Sequence, residues 1–446
     1  MYASSTTRAQ RRQRTGVGAS RSVGSVHVRL IRHTARVSTN RASYRAVLRD
    51  RDFRALLLSD GLSTLGDQVA RIAVALLVLE RSGSALAASA TYALSYLTWM
   101  IAGPLLSALP DRYPRRRVMV VCDLLRAALV AVLALPGLPL WTVFAVLTVT
   151  GLLAPPNDAA RSALLADLLD GEQYVVANAL NNIVGQAGQV LGFLLGGALV
   201  LALGVQRALL VDAGTFLVSA LLLQLLVRER PFERLAASAS AVGEALAGVR
   251  LVMGDPRLRN LLGWGLLTAC SIIATEGLAV AAVDEQDGGP LLAGVLTGAP
   301  PVGFLVGSWL LLRVAPERRE GLFPWLVAAT CAPLLLSPLV DDLWLLAGLW
   351  AVAGLGNALQ LIANSSFVQA VPRHLRGRAF GFAGSTLFAT QGVVLLGAGG
   401  LAELTGPREA VSLLAAASLL VLPFLRRAPR QIQAQGSGAP GRSGQT

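Results

Sequence analysis

The chain has 446 residues, of which 54% are hydrophobic and 15% are charged, and its mean hydropathy is +0.58. Soluble proteins carry about 25% charged residues, so this composition excludes an ordinary soluble domain and indicates a protein that crosses a membrane several times. The formal net charge of +13 would suit nucleic-acid binding, but the positions of the arginines, described below, favour another explanation.

Residues 1–52 form a separate region that is rich in Arg and Ser and has no acidic residue before Asp50. We expect this region to be a disordered cytoplasmic tail, because it contains no apolar run that would form a core. An organellar transit peptide and a misassigned translation start are the alternatives. A secretory signal peptide is not indicated, so the first apolar run must direct membrane insertion.

Twelve apolar runs follow the tail, and each comes near the roughly 20 residues with which a helix crosses the hydrocarbon core. The first six are 53–79, 85–109, 118–135, 138–155, 175–203 and 208–227. The second six are 258–283, 291–312, 322–340, 343–371, 379–401 and 410–425. The runs predict an all-α membrane protein with about twelve transmembrane helices.

A polar gap divides the runs into two sets, and weak sequence similarities recur about 200 residues apart. We therefore predict two pseudo-symmetric six-helix bundles at 53–228 and 257–426, joined by a cytoplasmic linker at 229–256 and followed by a disordered tail at 427–446. In the linker, Val242, Leu246, Val249 and Met253 recur at helical spacing, which predicts a short amphipathic helix at the membrane surface.

The arginines lie mainly in the two tails and in every second loop, whereas the opposite loops contain few arginines and several acids. This is the distribution described by the positive-inside rule. It predicts a multi-pass protein of the plasma membrane with both termini in the cytoplasm. The basic charge then sets orientation and attracts anionic lipids of the bilayer, and nucleic acid is not an expected partner.

Three segments carry a resemblance to a known family. The loop between the second and third runs contains Asp111-Arg112 followed by Arg115, Arg116 and Arg117. The fourth run is followed by Ala160-Arg161-Ser-Ala-Leu-Leu-Ala-Asp167, and the eleventh is preceded by Gln369-Ala-Val-Pro372 and Arg376-Gly377-Arg378. In this order, the segments resemble the major facilitator superfamily, and within it the branch of macrolide-efflux and enterobactin-exporter proteins.

The resemblance implies the major facilitator fold and a monomeric secondary active transporter that works by alternating access. It also implies export of a small amphipathic organic molecule, such as a drug, an antibiotic, a siderophore or a metabolite, coupled to protons. The sequence departs from the superfamily's motifs at three positions. Ser107 and Pro114 replace two glycines of the charged loop, and Phe193 replaces a proline of the fifth span.

The resemblance further implies a gate on the cytoplasmic side. Asp111 would accept hydrogen bonds at the N-terminus of the eleventh span near Arg378, where the helix dipole favours an anion. Arg112 and Arg161 would complete a network between the two bundles, and breaking it would open the gate. The predicted gate residues are Asp111, Arg112, Arg115, Arg116, Arg161 and Arg378.

Charged side chains inside the apolar runs are candidates for function, because an ionised group in hydrocarbon needs a partner or a water-filled cavity. Asp67 and Arg71 are four residues apart on one helix face and are expected to pair, either as a proton or substrate site or as a structural ion pair. Glu276 has no opposite charge within a helical turn, so it is a candidate for proton coupling or for binding a cationic substrate. The alternative places Glu276 in a hydrated pocket near the outer end of its span.

The other intramembrane charges have structural interpretations. Asp123 and Arg126 are three residues apart and are expected to pair. Asp60 is expected to be solvated near the cytoplasmic end of the first span, and Asp212 is expected to have a structural role.

Amide and aromatic side chains at helical spacing are candidates for the wall of a cavity, with interhelical packing or lipid contact as the alternative. These candidates are Asn182, Gln186, Gln189, Tyr96, Trp99, Asn357 and Gln360.

We find no arrangement that predicts an enzyme, a metal site or a cofactor. His27, His33 and His374 have no metal-ligand spacing, the three cysteines are expected to be free thiols, and there is no phosphate-binding loop of the Walker type. An uptake transporter of the same fold and a non-transporting membrane sensor are the alternatives to export.

Overall fold

The structure is a computed structural model that describes residues 44–106, 109–169, 171–229, 241–372 and 375–426. The predicted C-terminal tail and most of the predicted N-terminal tail lie outside these residues. The end of the predicted N-terminal tail is ordered: Tyr44–Val47 form a helical turn, and Val47 is buried beside Leu165 and Ala177.

The described residues fold into fifteen longer helices. The first set comprises α1 (Arg51–Ser82), α2 (Ala85–Leu106), α3 (Arg115–Leu133), α4 (Leu140–Leu152), α5 (Ala154–Leu168), α6 (Gly171–Leu203) and α7 (Val205–Leu226). The linker forms α8 (Ala241–Gly254), as the spacing of its apolar residues predicts. The second set comprises α9 (Pro256–Asp284), α10 (Pro290–Leu312), α11 (Phe323–Leu335), α12 (Leu343–Asn357), α13 (Leu359–Ala370), α14 (Arg376–Thr405) and α15 (Pro407–Arg426). Short helical turns lie at Leu109–Asp111, Pro316–Arg319, Glu320–Leu322 and Ser337–Leu339.

Aspartates fix the beginnings of three helices. The side chain of Asp50 accepts a hydrogen bond from the backbone N–H of Phe53 at 2.7 Å. Asp255 and Asp342 accept equivalent bonds from Arg257 and Leu345 at 2.8 and 2.7 Å. These carboxylates satisfy N–H groups that have no partner within the first turn of a helix.

The two sets repeat one pattern of helices. Members of the second set begin about 205 residues after the corresponding members of the first set. The repeat includes a break in the fourth span of each set, at Leu153 between α4 and α5 and at Ala358 between α12 and α13. This shared irregularity supports the predicted pseudo-symmetry of the two six-helix bundles.

Ten helical segments among the described residues are long and apolar enough to cross a membrane. They include α4 with α5 as one segment, and α12 with α13 as another. Of the twelve predicted spans, α3 and α15 are not among the ten. The charges of α3 explain its lower hydropathy, since Arg115, Arg116, Arg117, Asp123 and Arg126 all lie within 19 residues.

The sets contact each other through α2 with α14 and through α6 with α10. We call the side of the helices at which α8 lies the linker side. On the opposite side, Gly197 of α6 lies against Gly294 of α10, and any side chain at either position would collide with the facing backbone. Nearby, Glu403 of α14 accepts hydrogen bonds from the Ser84 hydroxyl at 2.7 Å and from Leu86 N–H at 3.0 Å.

On the linker side, a cavity of about 610 Å³ lies between the two sets. Its wall includes Trp99 and Met100 of α2, Ser162 of α5, Val249 of α8 and Gly381 of α14. The sets are therefore in close contact on the side away from α8 and are separated by a cavity on the linker side.

Candidate functional site

An ion pair joins the two sets at the centre of the molecule. Nη1 of Arg71 on α1 lies 3.3 Å from Oε1 of Glu276 on α9. The hydroxyl of Tyr96 on α2 donates to the other oxygen of Glu276 at 3.3 Å, and the Arg71 guanidinium lies 5.9 Å from the Tyr96 ring centre. Glu276 thus has a partner, and that partner comes from the other half of the chain.

The predicted pair of Asp67 with Arg71 is wrong. Asp67 binds Arg126 of α3 instead, and Nη2 of Arg126 lies 2.7 and 2.9 Å from the two carboxylate oxygens. The guanidinium also lies 4.3 Å from the ring centre of Phe216 on α7. Residues four apart on a helix share a face. Here, however, Arg126 of α3 lies closer to Asp67, and Glu276 of α9 lies closer to Arg71, than Asp67 and Arg71 lie to each other.

The predicted pair of Asp123 with Arg126 is wrong for the same reason. Asp123 accepts hydrogen bonds from Asn157 Nδ2 at 2.7 Å and from Ser219 Oγ at 2.5 Å. Ser219 is in turn bonded to Ser59 at 2.6 Å. Asp123 is 1% exposed, and both of its oxygens receive neutral donors.

Asp60 is buried, contrary to the solvated position expected for it. It forms an ion pair with Arg161 of α5, which also lies 3.4 Å from Asp158. Sequence reasoning missed Asp158. Its position three residues before Arg161 was the available signal.

A cavity of about 310 Å³ lies beside Glu276 between the two sets. Its wall contains the predicted residues Tyr96, Gln186, Gln189, Asn357 and Gln360, together with Gln391. Gln360 donates to the backbone oxygen of Gly265 at 2.6 Å, whereas the buried Oδ1 of Asn357 has no partner among the described residues. The wall therefore offers amide donors and acceptors beside one ion pair.

Two predicted cavity residues lie elsewhere. Asn182 is not in the wall of this cavity. Trp99 lines the linker-side cavity, where its ring centre lies 4.9 Å from that of Phe388.

Another cavity, of about 250 Å³, lies within the first set. Its charged lining consists of Asp60, Asp67, Arg71, Arg126, Asp158, Arg161 and Asp212. Asp212 is fully buried, and Oδ1 of its carboxyl is 3.2 Å from the Thr215 hydroxyl.

The predicted gate is only partly described. The side chain of Asp111 lies outside the described residues. Arg112 is exposed, and the exposed Arg378 lines the linker-side cavity.

The other predicted gate arginines bind partners of the first set or of the segment after α7. Arg115 pairs with Asp167 and donates to Ala163 O at 3.1 Å. Arg116 pairs with Glu229 at 3.2 Å. Because Arg161 binds Asp60 and Asp158, its described ion pairs stay within the first set and do not form the predicted network between the sets.

Residues 56–332 match the family model described as Major Facilitator Superfamily. The chain is 27% identical over 355 residues to the Multidrug efflux pump Tap of Mycolicibacterium fortuitum, covering 76% of this chain and 87% of that protein. It is 26% identical over 369 residues to the MFS-type transporter YfiS of Bacillus subtilis, covering 79% of this chain and 87% of the relative. Macrolide efflux protein A of Streptococcus pyogenes is 26% identical over 147 residues, covering 29% of this chain and 36% of that protein.

Two solved structures show the same fold at low identity. A POT family transporter in complex with 5-aminolevulinic acid superposes with a TM-score of 0.70 at 12% identity, covering 86% of this chain and 97% of the other. The nucleoside transporter NupG superposes with a TM-score of 0.65 at 14% identity, covering 85% of this chain and 99% of the other.

Proposed function

Because this chain belongs to the major facilitator superfamily, we propose that it is a plasma-membrane transporter that exports a small amphipathic organic molecule in exchange for protons. The proposed substrate class comprises drugs, antibiotics, siderophores and metabolites. The observation that carries the proposal is the ion pair of Arg71 with Glu276, which joins the two halves beside the central cavity.

The position of this pair supports alternating access. The halves are in contact on the side away from α8 and separated on the linker side, so a change of access must move α1 and α2 relative to α9. A proton on Glu276, or a cationic group of the substrate beside it, weakens the attraction that holds Arg71. Occupancy of the site is thereby linked to the relative position of the halves.

The direction of transport rests on two observations. The excess of arginine on the linker side supports a cytoplasmic position for that side, and the linker-side cavity then receives its substrate from the cell interior. Relatives that include Multidrug efflux pump Tap and Macrolide efflux protein A support export over uptake.

The lining of the two inter-bundle cavities supports the substrate class. The central cavity offers amides and the Glu276 carboxylate beside apolar side chains, whereas the linker-side cavity offers aromatic rings such as Trp99 and Phe388. A molecule with a polar end and an apolar body satisfies both surfaces.

The test measures the accumulation of a panel of antibiotics and dyes in an efflux-deficient host. We expect the intact protein to lower the accumulation of at least one compound, and we expect both Glu276→Gln and a protonophore to abolish that effect. The control is Glu320→Gln, because Glu320 is an exposed glutamate on the linker side that pairs with Arg257 at 3.6 Å. Export that persists unchanged in Glu276→Gln, or in the presence of the protonophore, contradicts the proposal.

A further inference from the structure

The described interior of the first set contains two kinds of acid, those that bind an arginine and those that do not. Arg161 lies between Asp60 and Asp158, and Arg126 binds Asp67. Asp123 and Asp212 receive neutral donors alone as hydrogen-bond partners among the described residues. Buried carboxylates without full compensation are costly in a membrane protein, so these two acids differ in kind from the three that bind arginine.

Asp212 is the less compensated of the two. Both oxygens of Asp123 accept hydrogen bonds, at 2.7 and 2.5 Å. Oδ1 of Asp212 is bonded to Thr215, but Oδ2 has no partner among the described residues although Asp212 is 0% exposed. This oxygen belongs to a residue that lines the 250 Å³ cavity shared with Asp67 and Arg126.

The charged groups that face Asp212 come from two neighbouring helices. Asp67 of α1 and Arg126 of α3 are within electrostatic reach of Asp212. The third helix that packs against α7 is α6. Its ionisable residues are Glu172 and Tyr174, and both lie in its first turn, far from Asp212. Asp212 therefore lies within electrostatic reach of one existing ion pair, that of Asp67 with Arg126.

Arg126, which lines the same cavity, has one hydrogen-bond donor without an acceptor in the part of the chain that the structure describes. Its Nη2 binds Asp67, but its buried Nε has no hydrogen-bond partner among the described residues. Within the described ranges, Oδ2 of Asp212 is thus an acceptor without a donor, and Nε of Arg126 is a donor without an acceptor. Both residues line the 250 Å³ cavity.

We propose that Asp212 is a proton-carrying residue of this transporter and that its protonation state determines how Arg126 is shared between Asp67 and Asp212. With a proton on Oδ2, Asp212 is neutral and Arg126 binds Asp67 alone, which is the pairing that the structure shows. When the O–H bond breaks, the proton passes to water in the cavity and the new carboxylate competes with Asp67 for the guanidinium. Because these groups come from α1, α3 and α7, proton loss changes the forces between three helices.

The proposal rests on the proposed function for its role in transport, but titration of Asp212 can be measured without a substrate. The experiment records infrared difference spectra of the full chain in lipid nanodiscs as pH is raised, following the C=O band of protonated carboxyl groups. We expect the wild type to lose intensity in this band on alkalinisation and Asp212→Asn to lose less, because only the contribution of Asp212 is removed and that of Glu276 remains. Asp123→Asn is the matched control, because an amide there can accept from Asn157 and donate to Ser219, and it should keep the band.

A pH-dependent band that is the same in Asp212→Asn and wild type overturns the assignment. If Asp212→Asn does not reach the membrane, Asp212→Glu is measured instead. This variant should shift the pH midpoint at which the band is lost. An unchanged midpoint would also overturn the assignment.

The two proposals fail in different ways. If Asp212 titrates but the wild type shows no proton-dependent export, the proposed function is wrong and the assignment of Asp212 stands. If the wild type exports with proton dependence and Asp212→Asn does so to the same extent, the role of Asp212 is wrong and the proposed function stands.

Discussion

Arg126 connects three helices of the first set. It lies on α3, binds Asp67 of α1 through two hydrogen bonds, and lies over the ring of Phe216 on α7. Its side chain is about nine-tenths buried. Removing Arg126 leaves the Asp67 carboxylate, whose side chain is 32% exposed, without its partner. Removing one partner of such a pair is usually more costly than removing both.

We therefore predict that Arg126→Gln lowers the stability of the protein by about 3 kcal/mol. The double variant Asp67→Asn with Arg126→Gln should recover most of the loss, because no charge is then left unpaired. Thermal unfolding of the purified protein measures both effects. Equal stability of the single variant and the wild type would show that the pair does not hold these helices together.

At the scale of helices, close contact between the sets depends on glycine at the crossing of α6 and α10. Gly197 and Gly294 face each other there, and a methyl group on either meets backbone atoms of the other helix. Backbone atoms cannot move aside as the end of a flexible side chain can. This crossing is therefore suited to closing the side away from α8.

We predict that Gly197→Ala reduces export about tenfold, since overpacking costs about 1–3 kcal/mol and a change of 1.4 kcal/mol shifts a conformational equilibrium tenfold. Gly400→Ala is the control, because the corresponding space at Gly400 of α14 is open. The measurement is the efflux rate of a compound that the wild type exports, at matched protein levels. A normal rate in Gly197→Ala would mean that this contact does not limit transport.

Hydropathy predicts the helices well but not their partners. The run at 258–283 anticipates α9 to within two residues at each end, because the length of a span is a local property. Hydropathy does not show the breaks at Leu153 and Ala358, because each lies within a run that is predicted to be continuous. Hydropathy also does not predict the partner of Glu276. Arg71 is 205 residues away in the chain, and only the packing of α1 against α9 brings the two side chains together.

At the scale of the whole molecule, the structure shows one of the two states that alternating access requires. The sets touch on the side away from α8, and a cavity separates them on the linker side. In the second state, the linker-side cavity must be closed. The contacts of α6 with α10 and of α2 with α14 on the other side must be broken.

We predict opposite distance changes for two pairs of spin labels. A pair at Ser162 and Gly381 spans the linker-side cavity, and a pair at Ser82 and Asp284 spans the sets on the other side. Electron paramagnetic resonance distances should show a population in which the first pair is closer and the second is farther apart, and lowering the pH should change the size of that population. Distances that are single and independent of pH would indicate one fixed conformation.

Export driven by protons moving in the opposite direction can be tested in proteoliposomes, which allow both fluxes to be recorded together. The measurement uses the compound that shows the largest export in cells and imposes a pH gradient across the membrane. We predict that the compound moves against its own gradient while protons move the other way, and that Glu276→Gln abolishes both fluxes. Movement of the compound that only equilibrates its concentration, with no proton flux and no effect of the pH gradient, would contradict the account.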